Sequence, residues 1–508
     1  MTPKAAVKII VDADQIVGPL DRRLFGSFVE HLGRCVYDGI YEPEHPSADA
    51  YGFRTDVMDL VRELGVTTIR YPGGSFVSGY RWEDGIGPRA QRPKRLDLAW
   101  HSLETNQVGL HEFAGWCERV GAEPMLALNL GTRGTLETLE LLEYTNIRAG
   151  SALAERRAAN GSADPFGVRM WCLGNEMDGP WQLGHRSAED YGKIASQTAR
   201  AMRQLDPDLE LVVCGSSNRS MPTFGIWERV VLEHTYDDID FISCHSYYEE
   251  RDGDRGSFLA SAVDMDAFIE AVIATADAVK AALRSERTIN ISFDEWNVWY
   301  SDRYDQGGRI TGLANWPHAP RLLEDQYSVT DAVVVGSLLI SLLKHADRVR
   351  AACLAQLVNV IAPIMTQPSG PAWRQTIFFP FAITARLAQG TVLRLAVESA
   401  SYQTAAYGPV PLVDAVATVD ERGLVAVFLA HRGLEAPTTA SIDIGSLGPV
   451  RLGESITLAD NDPTATNSLE HQDRVTPASN RSARIEDGVL TIELPPISWT
   501  AVQLIPMT

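Results

Sequence analysis

DVMDLVRELGVTTIRYPGGS, Asp56 to Ser75, holds the unit from which most of the chain is built. Its first half is apolar at Val57, Leu60, Val61 and Leu64, the spacing of one helix face. Gly65 follows at once, where a left-handed C-terminal cap is expected. Val66–Tyr71 then reads as a short strand that closes on Arg70 and Tyr71 before a Pro-Gly-Gly turn.

The same succession recurs on either side. EFAGWCERV from Glu112 leads through Gly121 into a strand at Pro124–Asn129, and DAFIEAVIATADAVKAAL from Asp266 leads into Ile289–Glu295. The remaining β-rich runs are Leu24–Glu30, Val168–Glu176, Leu209–Ser216, Asp240–Tyr247 and Ala351–Gln356. Most are short and apolar along most of their length, as strands buried on both faces must be. Eight strand-then-helix alternations predict an α/β fold, a (β/α)8 TIM barrel over residues 20–385. A doubly wound sheet is the rival, but no GxGxxG follows the first strand.

Beyond residue 385 the texture changes. GLVAVFLAHRG from Gly423 and DGVLTIELPPISWTAVQLI from Asp487 are β-rich and separated by turn signals, so residues 386–508 read as a C-terminal β-sandwich, jelly-roll-like. KAAVKIIVDAD from Lys4 reads as a strand within residues 1–19 that joins that sandwich.

With 508 residues the chain is too long for one core, which agrees with a large domain and a smaller one. A formal net charge of −21 argues against nucleic acid and anionic membrane surfaces as partners and suits a neutral substrate. The basic stretch Arg89 to Arg95 reads as a solvated rim loop. The six cysteines are scattered, several within apolar runs, and read as buried free thiols of a reducing compartment. The apolar run Ala332 to Leu343 is too short to span a bilayer and reads as a buried helix. The first residues show no uninterrupted apolar h-region, so a cytoplasmic location is expected.

A (β/α)8 barrel carries its chemistry at the C-terminal ends of its strands. The residues closing the strands are Glu30, Arg70, Asn129, Asn175 with Glu176, His245 with Tyr247, Glu295 and Gln356. Glu176 and Glu295, closing strands four and seven, face each other across the mouth. A retaining glycosidase needs two carboxyl groups roughly 5–5.5 Å apart, one protonated and one ionised. Arg70 is placed to keep Glu295 ionised, and Trp181 with apolar neighbours to keep Glu176 protonated. Trp100, Trp181, Trp296 and Trp299 supply rings for sugar faces, although each also suits a core. Lone histidines such as His31 and His245 read as hydrogen-bonded structural residues. No HExxH, CxxC or ligand-spaced cluster suggests a metal, and no cofactor is expected.

FGSFVEHLGRCVYDGIY, RYPGGSFVSGYRWEDGIGP, WCLGNEMDGPWQLGH, FDEWNVW and AQLVNVIAPI together resemble the α-L-arabinofuranosidases of glycoside hydrolase family 51. The likeness runs from the first strand into the sandwich. It implies a retaining exo-enzyme that releases terminal arabinofuranosyl residues from arabinose-containing oligosaccharides and polysaccharides, with Glu176 as acid/base and Glu295 as nucleophile. It further implies sugar contacts from Glu30, Asn175 and Gln356, positioning by Tyr247 and Arg70, and aromatics on the leaving-group side at Trp100 and Trp299. Many members read PGGN where this chain has Ser75, one donor in place of two, which bears on the sugar pocket. Many members are cytoplasmic hexamers, so a homo-oligomer is expected. A β-D-xylosidase or endo-glucanase would use the same two glutamates. The segment Ser301 to Glu324 is expected to wall in a pocket and favour single terminal sugars. A binding scaffold without catalysis would lack one carboxylate, and both are present.

Overall fold

Eight parallel strands close into a barrel in the computed structural model of the protein, which describes residues 6–312 and 316–507. Lys4 and Ala5 of the expected N-terminal strand, and residues 313–315 of the Ser301 to Glu324 segment, lie outside the described residues. In order the barrel strands are Gly26–Phe28, Thr68–Tyr71, Glu123–Ala127, Met170–Cys172, Glu210–Val213, Phe241–Tyr248, Asn290–Val298 and Val349–Leu354. The eighth pairs with the first, Cys353 opposite Gly26, and so closes the ring.

Helices return the chain between strands, as the apolar spacing requires. Thr55–Leu64 buries Val57, Leu60, Val61 and Leu64 and ends at Gly65 with φ 80°. Leu110–Val120 ends the same way at Gly121, φ 79°. Glycine meets this left-handed conformation without a Cβ penalty. The run Ala332 to Leu343 lies within the helix Val329–Lys344, which is buried at every position from Val329 to Leu343. Apart from Ser337 and Ser341 it is apolar, because it is covered on all sides. One side packs on barrel helices, and the other meets the C-terminal sheet so closely that a Cβ on Gly336 would lie 2.2 Å from Trp499 Cδ1.

The first, fourth and fifth strands are shorter than the sequence suggested. Pairing stops at Phe28, Cys172 and Val213, so Glu30 and Glu176 stand just beyond the sheet. After Cys172 the backbone turns sharply, with φ 108° at Gly174 and φ 44° at Glu176. The sixth and seventh strands instead run past their expected ends, to Tyr248 and Val298.

The seventh strand also carries a bulge. Ser292 pairs with Ser243 but Glu295 pairs with His245, one residue out of step, and the register slips on the other side as well. Consecutive strand residues normally face opposite ways. Here the extra residue turns both Asp294 and Glu295 into the barrel.

The C-terminal part carries a separate two-stranded hairpin, Ser401–Thr404 and Gly408–Pro411, and is built on one continuous ten-stranded sheet. The N-terminal strand Ala6–Pro19 lies within it, antiparallel to Thr391–Glu398 and parallel to Thr438–Asp443. Alternate residues from strands across the whole sheet, among them Val7, Ile9, Leu393, Val427, Val450, Leu490 and Val502, share one core. The sheet therefore folds over on itself to make the expected two layers. On the opposite face Phe428 and Trp499 join the core of the barrel. All six cysteines are buried and free. No helix among the described residues is long and apolar enough to cross a membrane.

Candidate active site

Two carboxylates and an imidazole meet at the open end of the barrel. An oxygen of Glu176, an oxygen of Glu295 and a ring nitrogen of His245 all lie within 4.8 Å of one another. That closeness fits the short spacing of a retaining pair better than the wider gap of an inverting one.

Each carboxylate is held by named donors. Arg70 Nη1 donates to Glu295 Oε1 at 2.7 Å, and its Nη2 donates to Asn175 Oδ1 at 2.8 Å. Tyr247 donates its hydroxyl to Glu295 Oε2 at 2.9 Å. The Arg70 fork thus ties the strand-seven carboxylate to the strand-four asparagine, a geometry lysine has no means to copy. Glu176 accepts from Trp181 Nε1 at 2.6 Å and from His245 Nδ1 at 3.0 Å. Its left-handed backbone costs on the order of 1–3 kcal/mol, which these contacts must offset.

His245 and Asp294 complete the floor. His245 Nε2 donates to Asp294 Oδ1 at 2.9 Å. Burial alone would lower the imidazole pKa, but Glu295, Asp294 and Glu176 outweigh it and raise it to about 10. Burial likewise works against the Asp294 anion, yet Arg70 and His245 hold it below the ordinary carboxylate range. An imidazolium spends both ring nitrogens as donors and offers a metal ion no lone pair. His245 thus links Glu176 and Asp294 in one hydrogen-bonded cluster. Reading His245 as a structural residue understates it, and Asp294, adjacent to Glu295, gave no signal of facing the same way.

A second polar pocket lies beside this pair. Glu30 Oε1 accepts from Phe76 N and Trp100 Nε1, each at 2.9 Å, while Glu30 Oε2 accepts from Gln356 Nε2 at 2.9 Å. The Pro-Gly-Gly turn runs between the two acids. A Cβ on Gly73 would lie 2.6 Å from Glu30 Cγ, and one on Gly74 would lie 3.2 Å from Glu295 Oε1. Ser75 follows, half-buried, on the cleft wall. Trp100 and Trp299 line the same cleft, the latter edge-on to Tyr247 with centroids 5.2 Å apart. Trp181 is 52% exposed, so a ring face is available to a sugar, whereas Trp296 is core at 0%.

Ser301, Tyr304 and Ile310 of the expected wall segment do line the cleft, and Trp316 stacks on His101 at 4.8 Å. Asn129 is the one strand-end residue turned elsewhere. Its amide donates to Tyr80 O and Thr132 Oγ1, both at 3.0 Å. His31 is structural as expected, between Glu104 and Tyr71 at 2.8 Å each.

Burial raises the Glu30 pKa from 4.5 to about 8, against the Phe76 and Trp100 bonds and with help from Glu295 and Asp97. Between those two values the native state keeps a proton that the unfolded chain has released. The stability linked to Glu30 is thus full below pH 4.5 and is lost as pH rises toward about 8. Glu30→Gln should flatten that slope. Melting temperatures from about pH 5 to about pH 8.5 check it, and an unchanged slope would remove Glu30 as its source.

Comparison with known proteins places these features in company. The α-L-arabinofuranosidase 1 domain matches residues 60–255, and the α-L-arabinofuranosidase C-terminal domain matches residues 294–498. The chain is 58% identical over 506 residues to an exo-α-(1→6)-L-arabinofuranosidase of Bifidobacterium longum, covering 98% of this chain and 97% of that one. It is 48% identical over 498 residues to intracellular exo-α-(1→5)-L-arabinofuranosidase 1 of Bacillus subtilis, covering 98% of each. Its fold matches a family 51 α-L-arabinofuranosidase structure from Bifidobacterium longum with a TM-score of 0.94 and 50% identity, covering 98% and 99% of the two chains.

Proposed function

The chain belongs to the α-L-arabinofuranosidases of glycoside hydrolase family 51, and from that premise we propose how its barrel mouth divides the work of hydrolysis. It is an exo-acting α-L-arabinofuranosidase, and arabinose-containing oligosaccharides are its substrates. Glu295 is the nucleophile and Glu176 the acid/base. The observation that carries this reading is the close carboxylate pair, one member gripped by Arg70 and Tyr247 and the other facing open cleft beside Trp181.

In the first step Glu295 attacks C1 of the arabinofuranosyl ring, the C1–O bond breaks, and Glu176 gives its proton to the departing oxygen. The product is a glycosyl ester on Glu295. Glu176, now ionised, takes a proton from water; the oxygen of that water attacks C1 from the vacated side, and the ester bond breaks. Two inversions retain the configuration. Arg70 withdraws charge from Glu295 as it leaves, and Asn175, fixed by Arg70, meets the 2-hydroxyl. Glu30, protonated at neutral pH, and Gln356 hold the remaining ring hydroxyls. Ser75 stands where a longer side chain would reach further into the pocket.

Relatives named for (1→5) and for (1→6) linkages suggest that the sugar pocket is common and the leaving-group side sets the linkage. We place the enzyme inside the cell, in keeping with relatives named intracellular, with no nucleic-acid or membrane partner. A homo-oligomer, hexameric by resemblance, belongs to the same reading. Hydrolysis of paired aryl glycosides tests the sugar choice: the α-L-arabinofuranoside should be cleaved far faster than the β-D-xyloside or β-D-glucoside. Preference for either of the latter would overturn it.

A further inference from the structure

The cleft is larger than one sugar requires. It holds about 1440 Å³, above the roughly 300–1,000 Å³ of an ordinary small-ligand pocket. Glu176, Ser217 and Arg219 line it together with a wall that the barrel does not supply. That wall is the tip of a hairpin from the C-terminal region, Ser401–Thr404 paired with Gly408–Pro411, where Ala405, Ala406 and Tyr407 line the cleft.

The hairpin is fastened in place. Tyr402 donates its hydroxyl to Gly256 O at 2.8 Å, and Ala406 N donates to Ser257 Oγ at 3.1 Å. Both acceptors sit on the short helix Arg255–Leu259 beside the barrel mouth. Thr404 closes the turn: its Oγ1 accepts from Tyr407 N at 3.0 Å and donates to Gly408 O at 2.9 Å. Tyr407 is therefore held half-buried on the cleft wall, its phenol within electrostatic reach of Asp264, Arg219 and Arg251.

The two cations there are already paired. Arg219 pairs with Asp264 at 2.7 Å and Arg251 with Glu249 at 3.1 Å. An aromatic ring among compensated polar groups suits a neutral, hydroxyl-rich occupant better than a charged one. We propose that Tyr407 is the platform of a distal subsite on the leaving-group side, holding a sugar of the chain from which arabinose is removed. This rests on Glu176 being the acid, since Glu176 and Tyr407 line the same cleft.

The test is kcat/KM of wild type, Tyr407→Ala and Tyr407→Phe on an aryl α-L-arabinofuranoside and on arabino-oligosaccharides of increasing length. Wild type should gain efficiency with length. Tyr407→Ala should lose about tenfold on the longer chains, with the aryl substrate unchanged, and Tyr407→Phe should keep both. An equal loss on the aryl substrate would mean a structural role and overturn the subsite. So would a wild type without length dependence, or a Tyr407→Ala variant that keeps it. Failure of wild type on the aryl arabinofuranoside would instead overturn the functional reading itself.

Discussion

Replacing Glu295 by Ala should lower turnover of an aryl α-L-arabinofuranoside by about 10⁴-fold or more, with the fold intact. Among the described residues no neighbour is placed to take over. Glu30 is bonded to three donors and Asp294 is engaged with His245. Arg70 keeps Asn175 as a partner in the variant and stays near Asp294, at 3.8 Å, so the buried cation is not stranded. Stereochemistry makes the result specific. Azide entering the space left by the carboxylate attacks C1 from the nucleophile's face and gives the β-configured arabinofuranosyl azide. Activity retained without azide, or an α-configured azide, would take the nucleophile role from Glu295.

Glu176→Ala should act unevenly. An oligosaccharide needs its departing oxygen protonated, so its cleavage should fall by roughly 10²–10⁴-fold. A dinitrophenyl glycoside leaves unaided, and its first step should change little. The second step then lacks a base, so the glycosyl ester accumulates and a burst of phenol precedes slow turnover. Added azide should intercept that ester and give the α-configured azide, the opposite outcome from the first variant. Equal losses on both substrates would remove the acid role. Trp181 and His245, which grip the native carboxylate, keep other partners or solvent in the variant, so a general collapse is not expected.

The barrel was legible because its period is physical: helix faces such as Val57, Leu60, Val61 and Leu64 alternate with buried strands, and two glycine caps mark the joins. Glu176 and Glu295 stood out as polar ends of apolar strands. Asp294 did not. A regular strand would have turned it away from Glu295, and only the bulge brings both inward. His245 looked structural because its three carboxylate neighbours come from the ends of two other strands. The distance from Tyr407 to the barrel mouth was equally hidden, since its contacts at Arg219 and Asp264 lie far back along the chain. Strand ends were misjudged where left-handed residues break pairing early, as at Gly174.

The threading of the first strand through the last sheet sets a timetable for the ribosome. Ala6–Pro19 emerges before the barrel, but its partners Thr391–Glu398 and Thr438–Asp443 follow only after the whole of it. About 370 residues separate Pro19 from Thr391, and at roughly 5–20 residues per second that is on the order of 20–70 seconds of synthesis. Throughout that interval Val7, Ile9 and Val11, core residues of the finished sheet, have no core to enter. A nascent chain released before those partners are made therefore carries Ala6–Pro19 as an unpaired β-edge, the kind of edge that invites pairing with other chains.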